Sequence, residues 1–199
     1  MKEGERIVEK PLVVSLSGIS GSGKTTLAHA LKSEAPNSEV ISFDDISGDW
    51  LGRDYCEWSE AGADCNVWNA SGFIEQIRNY LEFPLRYIIV DYPFGHAHNE
   101  VSPFIDFAVW IDIPLDISLA RRILRDFTRR PPKRRDLVGN IADEISAYLD
   151  FYMDRHRDTY FRHIETIQSF SNLVVDGTKN PQTLVLEIFN ALSLNLDSR

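Results

Sequence analysis

The stretch Gly18-Ile19-Ser20-Gly21-Ser22-Gly23-Lys24-Thr25 fits the spacing Gly-x-x-x-x-Gly-Lys-Ser/Thr. These residue types serve one chemistry. Glycines let successive backbone N–H groups turn inward on phosphate oxygens with no side chain in the way. A helix that opens as the turn ends adds its positive terminus to the same anion. A lysine at position 24 reaches the β- and γ-phosphates, and a hydroxyl at position 25 can ligate magnesium. Gly18, Ser20, Gly21, Ser22, Gly23, Lys24, Thr25 and Thr26 are therefore the expected phosphate-binding residues, with ATP and Mg2+ as the expected cofactors.

Phosphoryl transfer needs more than a cradle: it needs a metal-holding acid, a group to orient the attacking hydroxyl, and cations for the transferred charge. Asp91 is the expected second magnesium residue, with Asp44 and Asp45 as rivals at the end of another strand; the bland alternative is that these acids cap turns. Asp44, across the phosphates, is placed to accept the acceptor's proton. Arg121, Arg125 and Arg129 are spaced four apart, which predicts one shared helix face, with Arg122 beside it. A stripe of guanidinium groups leading into a Pro-interrupted basic loop suits a lid over a triphosphate. The competing reading is a solvated basic face paired with Asp126 and surface acids.

The elements that must hold these groups follow from hydrophobic pattern. Short β-branched runs predict strands at 12–16, 40–43, 87–90, 104–113 and 173–175. Helical spacing covers 25–35, 73–81, 115–128, 141–161 and 181–194, and Pro181 suits a helix start. Residues 48–71 show no clear period and read as an irregular insert. Strand and helix alternate throughout, the pattern of an α/β fold. The expected architecture is a P-loop NTPase three-layer sandwich with a five-stranded parallel sheet and a helical lid. Ligands of such sheets bind at the carboxyl ends of the strands, where the groups above fall.

Composition narrows the setting. With 199 residues the chain predicts one domain, residues 1–199, carrying a substrate insert at about 46–71 and a lid at about 121–140. The net charge of −9 argues against nucleic acid as partner, yet eight of the 21 basic residues lie between Arg121 and Arg135, which marks a local anion site. Two cysteines, Cys56 and Cys65, are too few for a disulfide scaffold. No apolar run is long enough to span a bilayer. Met1 to Lys10 lacks a signal-peptide core, so the expectation is a cytoplasmic protein with no membrane or nucleic-acid partner, acting alone or as a homodimer.

Several stretches together resemble the uridine kinase and nicotinamide riboside kinase branch of the P-loop kinases, over most of the chain. They are SGISGSGKTTLA (17–28), ISFDD (41–45), ARRILRD (120–126) and VVDGTK (174–179). The resemblance implies an ATP- and magnesium-dependent kinase phosphorylating a hydroxyl of a nucleoside or ribosyl compound. It implies Asp44 as base, Lys24 and Arg125 as catalytic cations, and Gly177 and Lys179 near the adenine. The sequence also departs from that pattern. Asp91-Tyr92-Pro93-Phe94-Gly95 stands where uridine kinases carry Glu-Gly, and Asn66 falls where their ribose-holding aspartate would be, with Asp64 as competitor.

Asp44, Asp64, Asn66, Tyr92 and His96 are thus the expected acceptor-side residues. Trp50, Tyr55, Trp58 and Trp68, with Arg53, Asp54 and Asp64, either line a site for a small planar ligand or pin the insert to the sheet. His96 and His98 read as a substrate-side contact or surface histidines rather than metal ligands, since no third ligand stands nearby. Arg155, Arg157 and Arg162 are expected on an exposed helix face. A kinase of a sugar or pantothenate-like alcohol, or a nucleotide-binding regulator, are the rival functions.

Overall fold

The computed structural model describes residues 10–46, 54–129 and 140–196. Its five strands are β1 (Leu12–Ser17), β2 (Ser38–Ser42), β3 (Tyr87–Asp91), β4 (Phe107–Asp112) and β5 (Leu173–Asp176). They form one sheet in the order β2-β3-β1-β4-β5, with every neighbouring pair parallel. The helices are α1 (Lys24–Glu34), α2 (Phe43–Ile46), α3 (Tyr55–Glu60), α4 (Ser71–Leu81), α5 (Leu115–Ile123), α6 (Ile141–Phe151), α7 (Arg157–Ile167) and α8 (Pro181–Leu196).

Parallel strands need both faces covered, and this sheet has two apolar layers. On one side Leu27, Leu31, Ile188 and Leu192 of α1 and α8 pack on Val14, Leu16, Ile89 and Val109. On the other, Ile77 of α4 and Tyr160 and Ile167 of α7 pack on Val13, Ile88, Val90 and Trp110. Burying a Val, Leu or Ile side chain stabilises by about 1.5–3 kcal/mol, so unbroken apolar runs settle in the middle of the sheet. The chain leaves β1 for α1 between β3 and β4, the point where strand order reverses. Ligands of open parallel sheets bind at such a point.

The structure departs from the pattern-based expectations where local hydrogen bonding overrides hydrophobicity. The run at 104–113 splits: Ser102–Phe104 is a 3-10 turn, Asp106 accepts from the Val13 N–H, and the strand begins at Phe107. The insert is not irregular in its described part. Asp54 caps α3 by accepting from the Cys56 and Glu57 N–H groups, and Asp64 caps a 3-10 turn at Cys65–Val67. Trp50 and Arg53 lie outside the described residues. The helix expected at 115–128 runs as α5 to Ile123 and then widens into a π-helical turn over Leu124–Arg129. The helix at 141–161 extends further, as α6, a π-helical turn at Tyr152–His156, and α7. The basic loop beyond Arg129, with Arg130, Lys133, Arg134 and Arg135, lies outside the described residues.

Candidate functional site

The loop between β1 and α1 is held open by backbone geometry. Gly21 has φ of 86°, and a Cβ there would sit 2.7 Å from the Ser118 carbonyl oxygen of α5. Gly23, at φ 101°, forms the left-handed cap of α1. The Ser118 hydroxyl donates to the Ser20 carbonyl at 2.7 Å, so α5 anchors the loop's outer turn. The Ser22 hydroxyl is buried with no hydrogen-bond partner among the described residues. Lys24 folds back over the loop, its Nζ donating to the Gly18 carbonyl at 2.8 Å and the Ile19 carbonyl at 3.2 Å. Part of the residue stays accessible, but the ammonium is enclosed. That desolvation lowers its pKa, against the opposing pull of Asp91 and Asp44.

Asp91 ends β3 in register with Leu16 of β1 and Ser42 of β2. Its Oδ2 accepts from the Thr25 hydroxyl at 2.6 Å. The residue beside the lysine and the acid at the neighbouring strand end therefore meet, as a magnesium pair must. Asp44 sits on the single turn α2 directly after β2. The residue keeps contact with solvent, yet desolvation by the surrounding chain, and then the charge of Asp91, raise its pKa above the usual carboxylate value; Lys24 acts the other way. Orphaned hydroxyl, glycine cradle, enclosed ammonium and paired hydroxyl–carboxylate are the donor set for a triphosphate and a hard cation.

The arginines do not act as one stripe. Beyond Ile123 the helix widens into a π-helical turn, and Arg129 lies exposed there while Arg121 and Arg125 are half-buried. Arg121 is a brace: it donates to the Ser22 carbonyl at 3.3 Å and to the Gly177 carbonyl at 3.1 Å. Arg125 grips Asp126 with two bonds, of 2.7 and 3.0 Å. Arg122 lies over the Tyr148 ring at 5.2 Å, donates to the Tyr160 hydroxyl, and stands 3.7 Å from the same Asp126. The charges of Arg125 and Arg122 both act on Lys24. Arg122, which the spacing argument set beside the stripe, thus acts on the loop lysine as well, less strongly than Arg125.

The remaining expected residues are placed as follows. Gly177 follows β5, with its N–H donating to the Asp112 carbonyl at 2.7 Å and with Arg121 on its own carbonyl. Lys179 pairs with Glu187 of α8 at 2.7 Å. Thr26 is exposed on the first turn of α1. Asp64 accepts from the backbone and side-chain N–H groups of Asn66, and Asn66 accepts from the Asn99 N–H at 2.8 Å, so both cap turns. His96 meets the Ser102 hydroxyl at 3.0 Å.

Two expectations are corrected. Tyr92 is not at a ligand surface: it is 0% exposed and stacks on Phe73 at 4.8 Å, because its position directly after β3 turns it into the layer under α4. His98 is no surface histidine; it is buried against the Trp68 carbonyl at 3.0 Å. Arg157 and Arg162 lie exposed as expected and Arg155 is half-buried; Arg155 grips Glu60 and Arg162 donates to the Ser59 carbonyl, both on α3. Trp58 and Trp68 are buried around Phe94 and pin the insert to the sheet. Among the described residues no group of three His, Cys, Asp or Glu side chains forms a metal site.

Sequence reasoning missed His163. It is fully buried among Trp58, Phe94 and Trp110, and burial together with the Lys24 charge pushes its pKa down to about 3. Its signal was its place on the inward stripe of α7 with Tyr160 and Ile167.

No protein-family model matches the chain. A uridine kinase of Borreliella burgdorferi is 25% identical over an alignment covering 89% of this chain and 93% of that protein. A uridine kinase of Leuconostoc citreum is 23% identical, covering 86% of this chain and 90% of that protein. Shikimate kinase from Aquifex aeolicus shares the fold, with a TM-score of 0.53 at 21% identity over 93% of this chain and 98% of that one. Fold and cradle define a P-loop nucleotide-binding protein, and with these relatives the chain is a phosphotransferase with a hydroxyl acceptor. Its particular likeness is to the uridine kinases. No helix among the described residues is long and apolar enough to cross a membrane.

Proposed function

We propose that the protein transfers the γ-phosphoryl group of ATP to a hydroxyl of a nucleoside or related ribosyl compound. The observation that carries this reading is the 2.6 Å contact of Thr25 with Asp91, beside an enclosed Lys24 and within the field of Asp44. Lys24 and the N–H groups of the Gly18–Thr26 turn bind the phosphates. Thr25 and Asp91 would hold magnesium, which when bound offsets charge on the phosphate oxygens. Asp44 takes the proton of the acceptor hydroxyl as it attacks, and the pull of Lys24 keeps enough of it ionised to do so. Arg122 and Arg125 offset charge on the transferred group. Arg121 locks the cradle to the Gly177 turn, where the adenine lies.

In this reading residues 1–199 are one domain, the insert at 46–71 meets the acceptor, and the lid spans 121–140. The protein works in the cytoplasm on free small molecules, without nucleic acid or membrane, alone or as a homodimer. One observation favours a second acceptor class: Asp64 and Asn66 are both engaged in capping turns, which leaves the ribose without its usual aspartate. A sugar or pantothenate-like alcohol is then the alternative.

ADP release with ATP and magnesium, measured across nucleosides, ribosides, sugars and pantothenate, tests the reading. Stimulation by a nucleoside supports it, and stimulation by a non-nucleoside alone transfers the chemistry to the second class. Asp44→Asn is expected to lower turnover by about 10²–10⁴-fold with ATP binding kept. Near-normal turnover would remove Asp44 from the role.

A further inference from the structure

His163 is a deeply enclosed titratable side chain that the mechanism above does not use, at 1% exposure. It touches two separate parts of the chain. Its Nε2 lies 3.1 Å from the Pro93 carbonyl, two residues beyond Asp91. Its Nδ1 meets the Tyr55 hydroxyl at the start of α3. The two contacts settle the proton positions. A carbonyl only accepts, so Nε2 carries the hydrogen; Nδ1 is then a bare acceptor and the Tyr55 hydroxyl donates to it. Burial and the Lys24 charge keep the ring neutral, which preserves this arrangement at working pH.

The bond is not what attaches α3 to the body. Arg162 donates to the Ser59 carbonyl at 3.0 Å, Arg155 grips Glu60 at 2.9 Å, and the Trp58 ring packs on Phe94 at 5.7 Å. Those contacts survive loss of one hydroxyl. What the Tyr55–His163–Pro93 chain adds is direction. It ties the insert to the loop leaving Asp91, next to the lysine whose field His163 feels. Tyr55 is its outer end and is half-buried.

We propose that Tyr55, held by His163, is a positioning residue that sets where the acceptor hydroxyl stands relative to Asp91 and Asp44. This rests on the phosphotransferase reading above. The hydroxyl of Tyr55, having given its proton to His163, keeps lone pairs that can only accept from an acceptor's hydroxyl or amide. The prediction is therefore a specificity for hydrogen-bond donors on the acceptor, with no effect on ATP.

Uridine is the probe, with coupled ADP release and separate KM values for uridine and ATP. Tyr55→Phe and His163→Gln each raise the uridine KM about tenfold, as loss of one oriented hydrogen bond does, and leave the ATP KM within about twofold. Gln replaces the donor to Pro93 but not the acceptor for Tyr55, so adding Tyr55→Phe to His163→Gln changes nothing further. His163→Asn restores an acceptor near the Nδ1 position and brings the uridine KM back toward wild type. An unchanged uridine KM in Tyr55→Phe overturns the proposal, as do parallel rises in both KM values with a lowered Tm, which would make the bond purely structural. A wild type that no nucleoside or riboside stimulates sinks the acceptor reading and this proposal together, whereas an active wild type with indifferent variants sinks this proposal alone; where another nucleoside stimulates and uridine does not, that nucleoside replaces uridine as the probe.

Discussion

Gly177→Ala probes how the nucleotide side is locked together. A Cβ at this position would lie 2.7 Å from Ile111 Cγ2 and 2.8 Å from the Asp112 carbonyl oxygen, and a comfortable 3.5 Å from the Ser22 carbonyl. The first obstacle is a side-chain tip, but the second is strand backbone. It is also the atom to which the Gly177 N–H is bonded at 2.7 Å, so the turn cannot back away without losing that bond. Overpacking of this kind costs about 1–3 kcal/mol. At about 2–4 °C per kcal/mol for a chain of this size, Tm should fall by about 2–12 °C, in the upper half of that range.

The turn's displacement also draws the Gly177 carbonyl off Arg121, and a lost bond to a charged donor should raise the ATP KM about tenfold. Differential scanning fluorimetry and coupled ADP release read the two effects. Gly62→Ala is the contrast. Gly62 has φ of 105° with nothing within 4 Å of a Cβ, so the cost is backbone strain alone, about 1–2 kcal/mol, and the ATP KM stays put. A Gly177→Ala protein with Tm within about 1 °C of wild type and an unchanged ATP KM would refute the reasoning, since a real clash cannot vanish into the usual surface-mutation scatter.

Asp126→Asn releases Arg125 from its two-point grip and removes the charge beside Arg122; the ATP KM should fall about two- to fivefold, because an exposed ion pair of this kind holds less than about 1 kcal/mol. Thr25→Ala removes the hydroxyl that meets Asp91 and should lower turnover about a hundredfold or more, with chelation of magnesium abolishing turnover in the wild type. Turnover should also decline with acid above the usual carboxylate range. Desolvation and Asp91 favour protonated Asp44, a protonated carboxyl cannot accept the hydroxyl's proton, and the residual activity of Asp44→Asn should lack that limb of the profile.

The cradle was legible because each of its positions is dictated locally: Gly21 and Gly23 need positive φ, and Lys24 and Thr25 follow at fixed steps along one turn. Asp91 was legible because a strand end in a parallel sheet has a fixed address. Asp64 and Asn66 were ambiguous, since a residue that can bind a ribose hydroxyl can equally cap a turn. Tyr92 failed because chain proximity to Asp91 says nothing of which layer a side chain enters. The separate duties of Arg121, Arg122 and Arg125 were not legible, because spacing gives a shared face and not the partner each guanidinium finds. His163 needed the partner elements, Tyr55 over a hundred residues away and Pro93, before its role had any outline.

The two π-helical turns, at Leu124–Arg129 and Tyr152–His156, have a consequence for how such a chain can vary. Each is one residue more than a regular helix requires. Deleting that residue would not shorten a loop; it would rephase every side chain downstream by about 100°. Upstream of the first turn, Ser118 and Arg121 hold the phosphate loop; downstream lie Arg125 and Arg129. The turn therefore works as a splice between two helical registers, letting the inner half of the arm stay locked to the cradle while the outer half answers to a different phase. Length at these two points therefore constrains the site as directly as a side chain does.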